Sequence, residues 1–350
     1  MIDKPTVTKT AVVTGAVSGM GLALTRHLLA KTDDSNIKER WLVVLADINE
    51  VGYEAIKPTL DQDRHIFVHT DVSQFSSQLE LFERAFDWSG GRIDFFANNA
   101  GIPDQQPLLG WLEHPETAGE EEEGEDPVEP DLRCLDVDLK AAFHGLKLFV
   151  HFTRKTRNLL GRQTAAEMDD IGINGGDAAI GIAAAHDFHP KMVITASMAA
   201  QYPFYILPMY TAAKHGCVGL IRAAAPTLFA DEGITLNGIM PSTTKTNIIP
   251  KPILEQWPED HFTPVETIIR AFDELIDVTG RVAQDGLSDG QDGQVKNGCC
   301  VEASTDRLFY RAPVPFPNAV QEWVGEQSRR DGILGTFMQK AMDYKANGSN

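Results

Sequence analysis

Short apolar runs alternate along the chain with longer stretches in which apolar positions recur every three or four residues. The short runs are rich in β-branched and aromatic side chains and end at polar residues, which is typical of buried strands. The predicted strands are Lys9–Val13, Trp41–Ala46, His65–His69, Ile93–Ala97, the run from Met192 that ends at Ser197, a strand ahead of Pro241, and Gly298–Ala303. Strands that alternate with helices predict an α/β fold with a parallel sheet.

A glycine-rich turn follows the first predicted strand. It has the pattern Thr14-Gly15-x-x-x-Gly19-x-Gly21, and a helical apolar pattern begins at Leu22. Glycines let the backbone approach a pyrophosphate, and the helix start favours its charge. This order predicts a Rossmann-type doubly wound parallel sheet of about seven strands, with helices on both faces, in a single domain with insertions. The predicted cofactor contacts in the turn are Thr14, Gly15, Ser18, Gly19, Met20 and Gly21.

An acidic residue ends the second predicted strand. Asp47, followed by Ile48, lies where a carboxylate can accept hydrogen bonds from the ribose hydroxyls of an adenosine. The same charge repels a 2′-phosphate, and the glycine turn contains no Arg or Lys to offset it. Asp47 and Ile48 therefore predict a site for NAD in preference to NADP.

A tyrosine and a lysine lie one helical turn apart. Tyr210 and Lys214 form a Tyr-x-x-x-Lys pattern, so on a helix they share a face. A phenol with an ordinary pKa near ~10 is a poor base at neutral pH unless a positive charge stabilises the phenolate. Ser197, at a strand end, adds a hydroxyl. These three residues predict an acid–base site around one carbonyl or alcohol oxygen.

The ordered motifs resemble the short-chain dehydrogenase/reductase family. They are the glycine turn, Asp71-Val72, Asn98-Asn99-Ala100-Gly101, Ser197 and Tyr210-x-x-x-Lys214. The resemblance implies an oxidoreductase in which Tyr210 is the acid or base, Ser197 binds the substrate oxygen, and Lys214 assists Tyr210 and holds the nicotinamide ribose. It also implies cofactor contacts from Asp71, Val72, Asn98, Ala100, Gly101, Tyr210 and Lys214, and from Pro241, Thr243 and Thr246 in a loop where Ser242 replaces the usual Gly.

One catalytic position departs from the family pattern. The family has an Asn on the helix after strand four, and the matching position here is Asp138. Asn both donates and accepts hydrogen bonds, whereas an ionised carboxylate only accepts. Asp138 could hold the water that the Asn binds, or it could pair with Lys214 and weaken its support of Tyr210. We predict reduced turnover or a shifted pH optimum, and the alternative is an NAD(H)-binding regulatory protein with little activity.

The substrate is predicted to be a small alcohol or ketone, apolar in character. The loop at about 242–262 contains Ile248, Ile253 and Trp257 and is similar to the family's variable substrate loop. The segment Glu302–Asp306 resembles the branch that contains 15-hydroxyprostaglandin dehydrogenase, which oxidises secondary alcohols with NAD. A ketone or imine reductase of natural-product biosynthesis remains an alternative.

Charge excludes some partners. The chain carries a formal charge of −19, which disfavours nucleic acids and anionic membranes. Much of the charge lies in an acidic insertion at about 112–131.

A Gly- and Ala-rich insertion is predicted at about 158–190, within a domain of residues 1–310, and residues 311–350 are predicted to form a C-terminal extension.

The remaining expectations concern redox state, location and assembly. Four cysteines without a Cys-x-x-Cys pair indicate reduced thiols. The sequence shows no apolar signal core and no run of about 20 apolar residues, so we predict a cytoplasmic protein without a membrane span. No metal site is predicted, because His186 and His189 lack further ligands at metal-binding spacing. The family resemblance implies a homodimer or homotetramer.

Overall fold

The strands form one sheet in the part of the chain that the computed structural model describes, which is residues 7–31, 39–108, 129–170 and 187–347. Within these ranges eight strands occur in the order β3-β2-β1-β4-β5-β6-β7-β8. They are β1 Val7–Thr14, β2 Glu39–Asp47, β3 His65–His69, β4 Phe95–Asn98, β5 Lys191–Thr195, β6 Thr235–Pro241, β7 Cys300–Ser304 and β8 Arg307–Tyr310. All neighbours are parallel except β7 and β8. The predicted doubly wound α/β fold is confirmed.

The described sheet has one strand more than the sequence predicted. β8 returns antiparallel to β7, with Ser304 paired to Arg307. The chain turns through Thr305 and Asp306, and Thr305 adopts a φ of 51°. A two-residue hairpin loop usually carries Gly, Asn or Asp where φ is positive. Because Thr305 is none of these, the sequence carried no turn signal there.

Helices cover both faces of the sheet. Those of the first unit are Gly19–Ala30, Glu50–Ile56, Phe75–Trp88, Arg133–Leu135, Ala141–Asp170, Pro208–Glu232, Lys251–Leu254 and Val265–Ile276. Alternate residues of each strand point to opposite faces. Val12 packs in the core under Phe82 and Phe149, whereas Val13 packs in the other core with Leu24 and Phe272. The two cores explain why the strands read as continuous apolar runs.

The strand order places the functional loops along one edge. β1 pairs with β2 on one side and with β4 on the other, so the order of connection reverses between β1 and β4. Ligands of doubly wound sheets bind at such a switch point, beyond the carboxyl ends of the strands. The glycine turn follows β1, Asp47 ends β2, and Ser197 lies just beyond β5. The sheet therefore brings these residues to one end.

The protein comprises two compact units, Met1–Tyr310 and Arg311–Asn350. The second unit contains the helices Ala319–Gln327 and Ile333–Asn347. In the first unit the helix Ala141–Asp170 continues into the predicted Gly- and Ala-rich insertion. The central part of that insertion, and the acidic insertion up to residue 128, lie outside the described residues.

Candidate functional site

The glycine turn after β1 requires glycine at several positions. Gly15 and Gly19 adopt φ values of 64° and 51°, a region that disfavours residues with a Cβ. A Cβ at Gly21 would lie 2.2 Å from the Gly15 carbonyl oxygen. Ser18 precedes the helix Gly19–Ala30 and makes no side-chain capping bond among the described residues. A close-packed turn that leads into a helix start without a side-chain cap fits the pyrophosphate of a dinucleotide.

Asp47 is held against this turn. Its Oδ2 accepts a hydrogen bond from the Val17 amide at 3.1 Å, and its Oδ1 accepts one from the Asn49 amide at 3.0 Å. Each carboxylate oxygen has a second lone pair. The following Ile48 is 65% exposed. The carboxylate therefore has a fixed position beside the turn and can still accept further hydrogen bonds.

Asp71 and Val72 follow β3 along the same edge of the sheet. The Asp71 carboxylate accepts hydrogen bonds from the Ser73 amide and hydroxyl, at 2.9 and 2.7 Å from Oδ1. The Asp71 amide donates to the Ser77 hydroxyl at 3.0 Å. Val72 is 7% exposed. This turn is thus fixed by its own hydrogen bonds beside the predicted adenosine position.

The turn after β4 is joined to two other strands by Asn99, which the sequence analysis did not assign to the site. The Asn99 amide donates to Thr14 Oγ1 at 2.9 Å, and its Nδ2 donates to the Thr14 carbonyl at 3.0 Å. Thr195 Oγ1 donates to Asn99 Oδ1 at 3.1 Å. Asn98, the predicted contact, is buried within β4. The motif predicted cofactor contacts from this turn, but it could not say which of two adjacent Asn side chains bonds to the neighbouring strands.

Ala100 and Gly101 continue the same turn towards the sheet edge. The Ala100 amide donates to Thr14 Oγ1 at 3.1 Å. A Cβ at Gly101 would lie 2.9 Å from Asp138 Oδ2 and 3.3 Å from Lys214 Nζ. The turn therefore lies between the residues that follow β1 and the lysine of the predicted acid–base site.

The loop after β6 returns to the glycine turn. Pro241 ends β6, and the Ser242 amide donates to the Ala303 carbonyl at 2.8 Å. The Thr243 carbonyl accepts a hydrogen bond from the Thr263 amide. A Cβ at Gly19 would lie 3.2 Å from Thr246 Cγ2. The loop from Pro241 to Thr246 thus spans the region between β6 and the glycine turn.

The structure brings Ser197, Tyr210 and Lys214 together. Ser197 lies two residues beyond β5, and the interaction of its hydroxyl with Tyr210 lowers the pKa of that phenol. Lys214 Nζ lies 5.3 Å from the centroid of the Tyr210 ring and donates to the Thr195 carbonyl at 3.0 Å. Ser197 and Lys214 are buried. A phenol, a hydroxyl and an ammonium group in this arrangement can exchange a proton with a substrate oxygen.

Asp138 forms a buried ion pair with Lys214. Its Oδ2 lies 2.9 Å from Lys214 Nζ, and its Oδ1 accepts from the Ile102 amide at 2.8 Å. Asp138 lies in a π-helical turn, Asp136–Lys140, that precedes a long helix. Of the two arrangements that the sequence left open, the structure thus has the carboxylate paired with the lysine. Such wide turns are frequent at functional sites.

The pKa values in this cluster follow from burial and charge. Burial raises the pKa of Tyr210; the charge of Lys214 and the hydrogen bond with Ser197 oppose the rise, and the charge of Asp138 adds to it. Burial, the largest single cause, would lower the pKa of Lys214, but the charge and hydrogen bond of Asp138 together with the charges of Tyr210 and Cys217 outweigh burial and raise that pKa. Burial raises the pKa of Asp138 against the opposing charge of Lys214. The ammonium group is therefore well retained, while part of its effect on Tyr210 is cancelled.

Sequence reasoning also missed Asp104. It lies three residues beyond Gly101, and its two carboxylate oxygens accept hydrogen bonds from the amides of Met209 and Tyr210. No motif marks an acidic residue there, because the contact joins positions more than a hundred residues apart.

The described residues contain neither a cluster of metal ligands nor a membrane-spanning helix. No group of three or more His, Cys, Asp and Glu side chains there could hold a metal ion. None of the described helices is both long and apolar enough to span a lipid bilayer.

Comparison with known proteins identifies relatives. The family model for short chain dehydrogenases matches residues 9–157 and 177–254. Short-chain dehydrogenase/reductase prx6 of Penicillium rubens is 27% identical over 319 residues, which is 88% of this chain and 87% of that protein. Short-chain dehydrogenase/reductase ascJ of Acremonium egyptiacum is 31% identical over 70% of this chain and 67% of its own length. Human 15-hydroxyprostaglandin dehydrogenase [NAD(+)] is 25% identical over 69% and 70%.

Solved structures share the fold. A 3-ketoacyl-(acyl-carrier-protein) reductase from Brucella melitensis complexed with NADH matches with a TM-score of 0.60, 19% identity and coverage of 85% of this chain and 98% of its own. A short chain dehydrogenase from Burkholderia cenocepacia in complex with NADP matches with a TM-score of 0.56, 17% identity and coverage of 85% and 97%. At these identities the likeness is one of fold.

Proposed function

The chain belongs to the short-chain dehydrogenase/reductase family of oxidoreductases that act on alcohol and carbonyl groups of small molecules, and from that premise we propose that it interconverts a secondary alcohol and a ketone with NAD(H). The observation that carries the proposal is the cluster of Ser197, Tyr210 and Lys214 at the carboxyl edge of the sheet. A nicotinamide cofactor bound at the glycine turn supplies the hydride acceptor or donor.

Tyr210 is the proposed acid and base. In oxidation its phenolate takes the proton of the substrate hydroxyl, and in reduction its phenol returns a proton to the carbonyl oxygen. Ser197 hydrogen-bonds the same substrate oxygen, because its hydroxyl is near enough to Tyr210 to affect the pKa of that phenol. Proton transfer of this kind contributes about 10²–10⁴-fold to a rate.

Lys214 and Asp138 set the charge below Tyr210. The ammonium group favours the phenolate, and the Thr195 carbonyl and Asp138 keep it buried and charged. Because Asp138 returns one negative charge to the site, the proposed enzyme needs a higher pH for oxidation than one with a neutral amide at this position.

Asp47 is the proposed determinant of cofactor choice. Its carboxylate is fixed by the amides of Val17 and Asn49, so it can accept from ribose hydroxyls and repel a 2′-phosphate. One relative carries NAD(+) in its name, which supports the same preference. The other cofactor contacts that the family resemblance implies complete the proposed cofactor site; Thr14 is the first of these residues along the chain and Thr246 is the last.

We further propose an apolar substrate and a homo-oligomeric, cytoplasmic enzyme. Ile248, Ile253 and Trp257 of the loop after β6 are 37%, 45% and 43% exposed, and an apolar substrate would cover them. The described cysteines are free thiols, which supports a reducing compartment.

The test is cofactor binding and turnover by the wild type and by Tyr210→Phe. Wild-type protein should bind NADH more tightly than NADPH in a fluorescence titration and should oxidise members of a panel of secondary alcohols. Tyr210→Phe should keep NADH affinity and lose turnover. Tyr205→Phe is the matched control, because it removes the same hydroxyl from a tyrosine that is 85% exposed. Full turnover by Tyr210→Phe would overturn the assignment.

A second candidate is a cofactor-binding regulatory protein with little activity. The Asp138–Lys214 ion pair favours it, because the pair weakens support for the phenolate. Such a protein would bind NADH and convert no member of an alcohol, ketone and imine panel. Turnover of ketones or imines alone would instead indicate the reductase of natural-product biosynthesis.

A further inference from the structure

The helix that carries Tyr210 lacks a local cap at its first turn. It begins at Pro208, and the side chain of the preceding Leu207 makes no capping hydrogen bond. Pro208 has no amide hydrogen, and the Thr211 amide donates to the Leu207 carbonyl at 2.9 Å. The amides of Met209 and Tyr210 are therefore the first-turn donors that need an acceptor from elsewhere in the chain.

Asp104 supplies both acceptors. Its Oδ2 accepts from the Met209 amide at 3.1 Å, and its Oδ1 accepts from the Tyr210 amide at 2.7 Å. The carboxylate thus contacts the backbone of the proposed acid–base residue itself. A negative charge at a helix start also interacts favourably with the helix dipole.

The segment that carries Asp104 contacts the other side of the acid–base cluster as well. Two residues earlier, the Ile102 amide donates to Asp138 Oδ1 at 2.8 Å. The Cys134 thiol donates to the Ile102 carbonyl at 3.2 Å. One short segment after β4 is therefore bonded both to the partner of Lys214 and to the helix start at Tyr210.

We propose that Asp104 is a positioning residue that holds the Tyr210 hydroxyl in register with Ser197 and Lys214. This inference rests on the proposed role of Tyr210 as the acid and base. Without Asp104 two amides of the first turn lose their acceptors, and the turn that carries Tyr210 can shift. Lys214, one turn further along, keeps its bonds to the Thr195 carbonyl and Asp138. A displacement of about 1 Å at a reacting group can cost on the order of 10²-fold in rate.

The experiment compares Asp104→Ala, Asp104→Asn and Asp104→Glu with the wild type. For a secondary alcohol that the wild type oxidises, Asp104→Ala should lower kcat by about 10- to 100-fold and change KM and the NADH dissociation constant by less than about threefold. Asp104→Asn keeps one acceptor oxygen and should lie between, and Asp104→Glu keeps the carboxylate and should recover part of kcat. A rescue that follows the number of acceptor oxygens distinguishes positioning from general destabilisation.

Hydrogen exchange supplies a readout that needs no substrate. With NADH bound, the amides of peptides that contain Met209–Thr211 should exchange faster in Asp104→Ala than in the wild type. Asn318→Ala is the matched control, because Asn318 Oδ1 accepts from the first-turn amide of Gln321 at 2.9 Å in the second unit. The control should leave kcat and exchange at Met209–Thr211 unchanged.

The outcomes separate this inference from the proposed function. If the wild type turns over and Asp104→Ala keeps its kcat, the inference is wrong while the proposed function stands. If the wild type binds NADH but converts no substrate, the proposed function fails, and hydrogen exchange then decides whether Asp104 holds the helix start. Unchanged exchange at Met209–Thr211 in Asp104→Ala overturns the inference in either case.

Discussion

Replacing Asp138 with Asn removes one negative charge from the pair with Lys214 while keeping the size of the side chain. Asp138 Oδ2 lies 2.9 Å from Lys214 Nζ, which in turn lies 5.3 Å from the Tyr210 ring centroid. Because the charge of Asp138 contributes to the raised pKa of Tyr210, its removal should lower that pKa. We expect the pH profile for alcohol oxidation to move towards acid.

The size of the shift follows from Coulomb's law. These two distances place the carboxylate within about 8 Å of the ring, where unit charges interact by about 2 kcal/mol at an effective dielectric constant of ~20. One pKa unit corresponds to about 1.4 kcal/mol, so the acid limb should move down by about 1 to 2 pH units. Oxidation needs the phenolate, so below the wild-type pKa the Asn variant should be faster.

The assay measures kcat and kcat/KM for oxidation of a secondary alcohol from pH 6 to about 10. This range extends upward to the ordinary pKa of a phenol. Asp136→Asn is the matched control. Asp136 lies in the same π-helical turn, and its partly exposed carboxylate pairs with Lys140 at 2.5 Å, away from the buried pair. An unchanged acid limb in Asp138→Asn, or a shift towards alkaline pH, would refute the electrostatic argument.

Three further perturbations test the cofactor site and the fold. Asp47→Ala should narrow the preference for NADH over NADPH by about tenfold in a fluorescence titration, and an unaltered ratio would count against its role. Gly21→Ala places a Cβ 2.2 Å from the Gly15 carbonyl oxygen and should weaken NADH binding by more than about tenfold, whereas Gly219→Ala, with nothing within 4 Å, should raise the free energy of unfolding by up to ~1 kcal/mol in urea. The buried Lys296 ammonium group donates to three backbone carbonyls, and Lys296→Met leaves them without this donor. The variant should lower the free energy of unfolding by about 3 kcal/mol, and equal stability would contradict this.

Most of the sheet was predictable because its strands are buried on both faces. The run from Trp41 to Ala46 is apolar without interruption, and the observed strand Glu39–Asp47 extends it by only a few residues. The predicted strand His65–His69 is observed with the same bounds. The hairpin to β8 was not predictable, because Thr305 adopts a positive φ without the residue type that marks such turns. Strand patterns follow from local burial, whereas this turn depends on its neighbours.

Some residues of the proposed site could also be predicted from the sequence, and others could not. Tyr210 and Lys214 share a helix, so their spacing alone brought them together, and Ser197 was placed by the strand before it. Asp104 and Asn99 act through contacts with distant segments, and no local periodicity records such contacts. The sequence could name Asp138 as a departure, but only the fold could decide between a held water and an ion pair.

The surroundings of Asp138 fit a carboxylate better than the family's amide. One oxygen faces the Ile102 amide and the other faces the Lys214 ammonium group, and both of these groups are donors. An Asn side chain has one acceptor oxygen and a donating NH₂ group, so one donor would be left facing another. Gly101 leaves space for the Asp138 carboxylate, since a Cβ at Gly101 would lie 2.9 Å from Asp138 Oδ2. Asp138 is thus consistent with the groups around it. It keeps Lys214 charged, and in return the phenolate of Tyr210 is stabilised less.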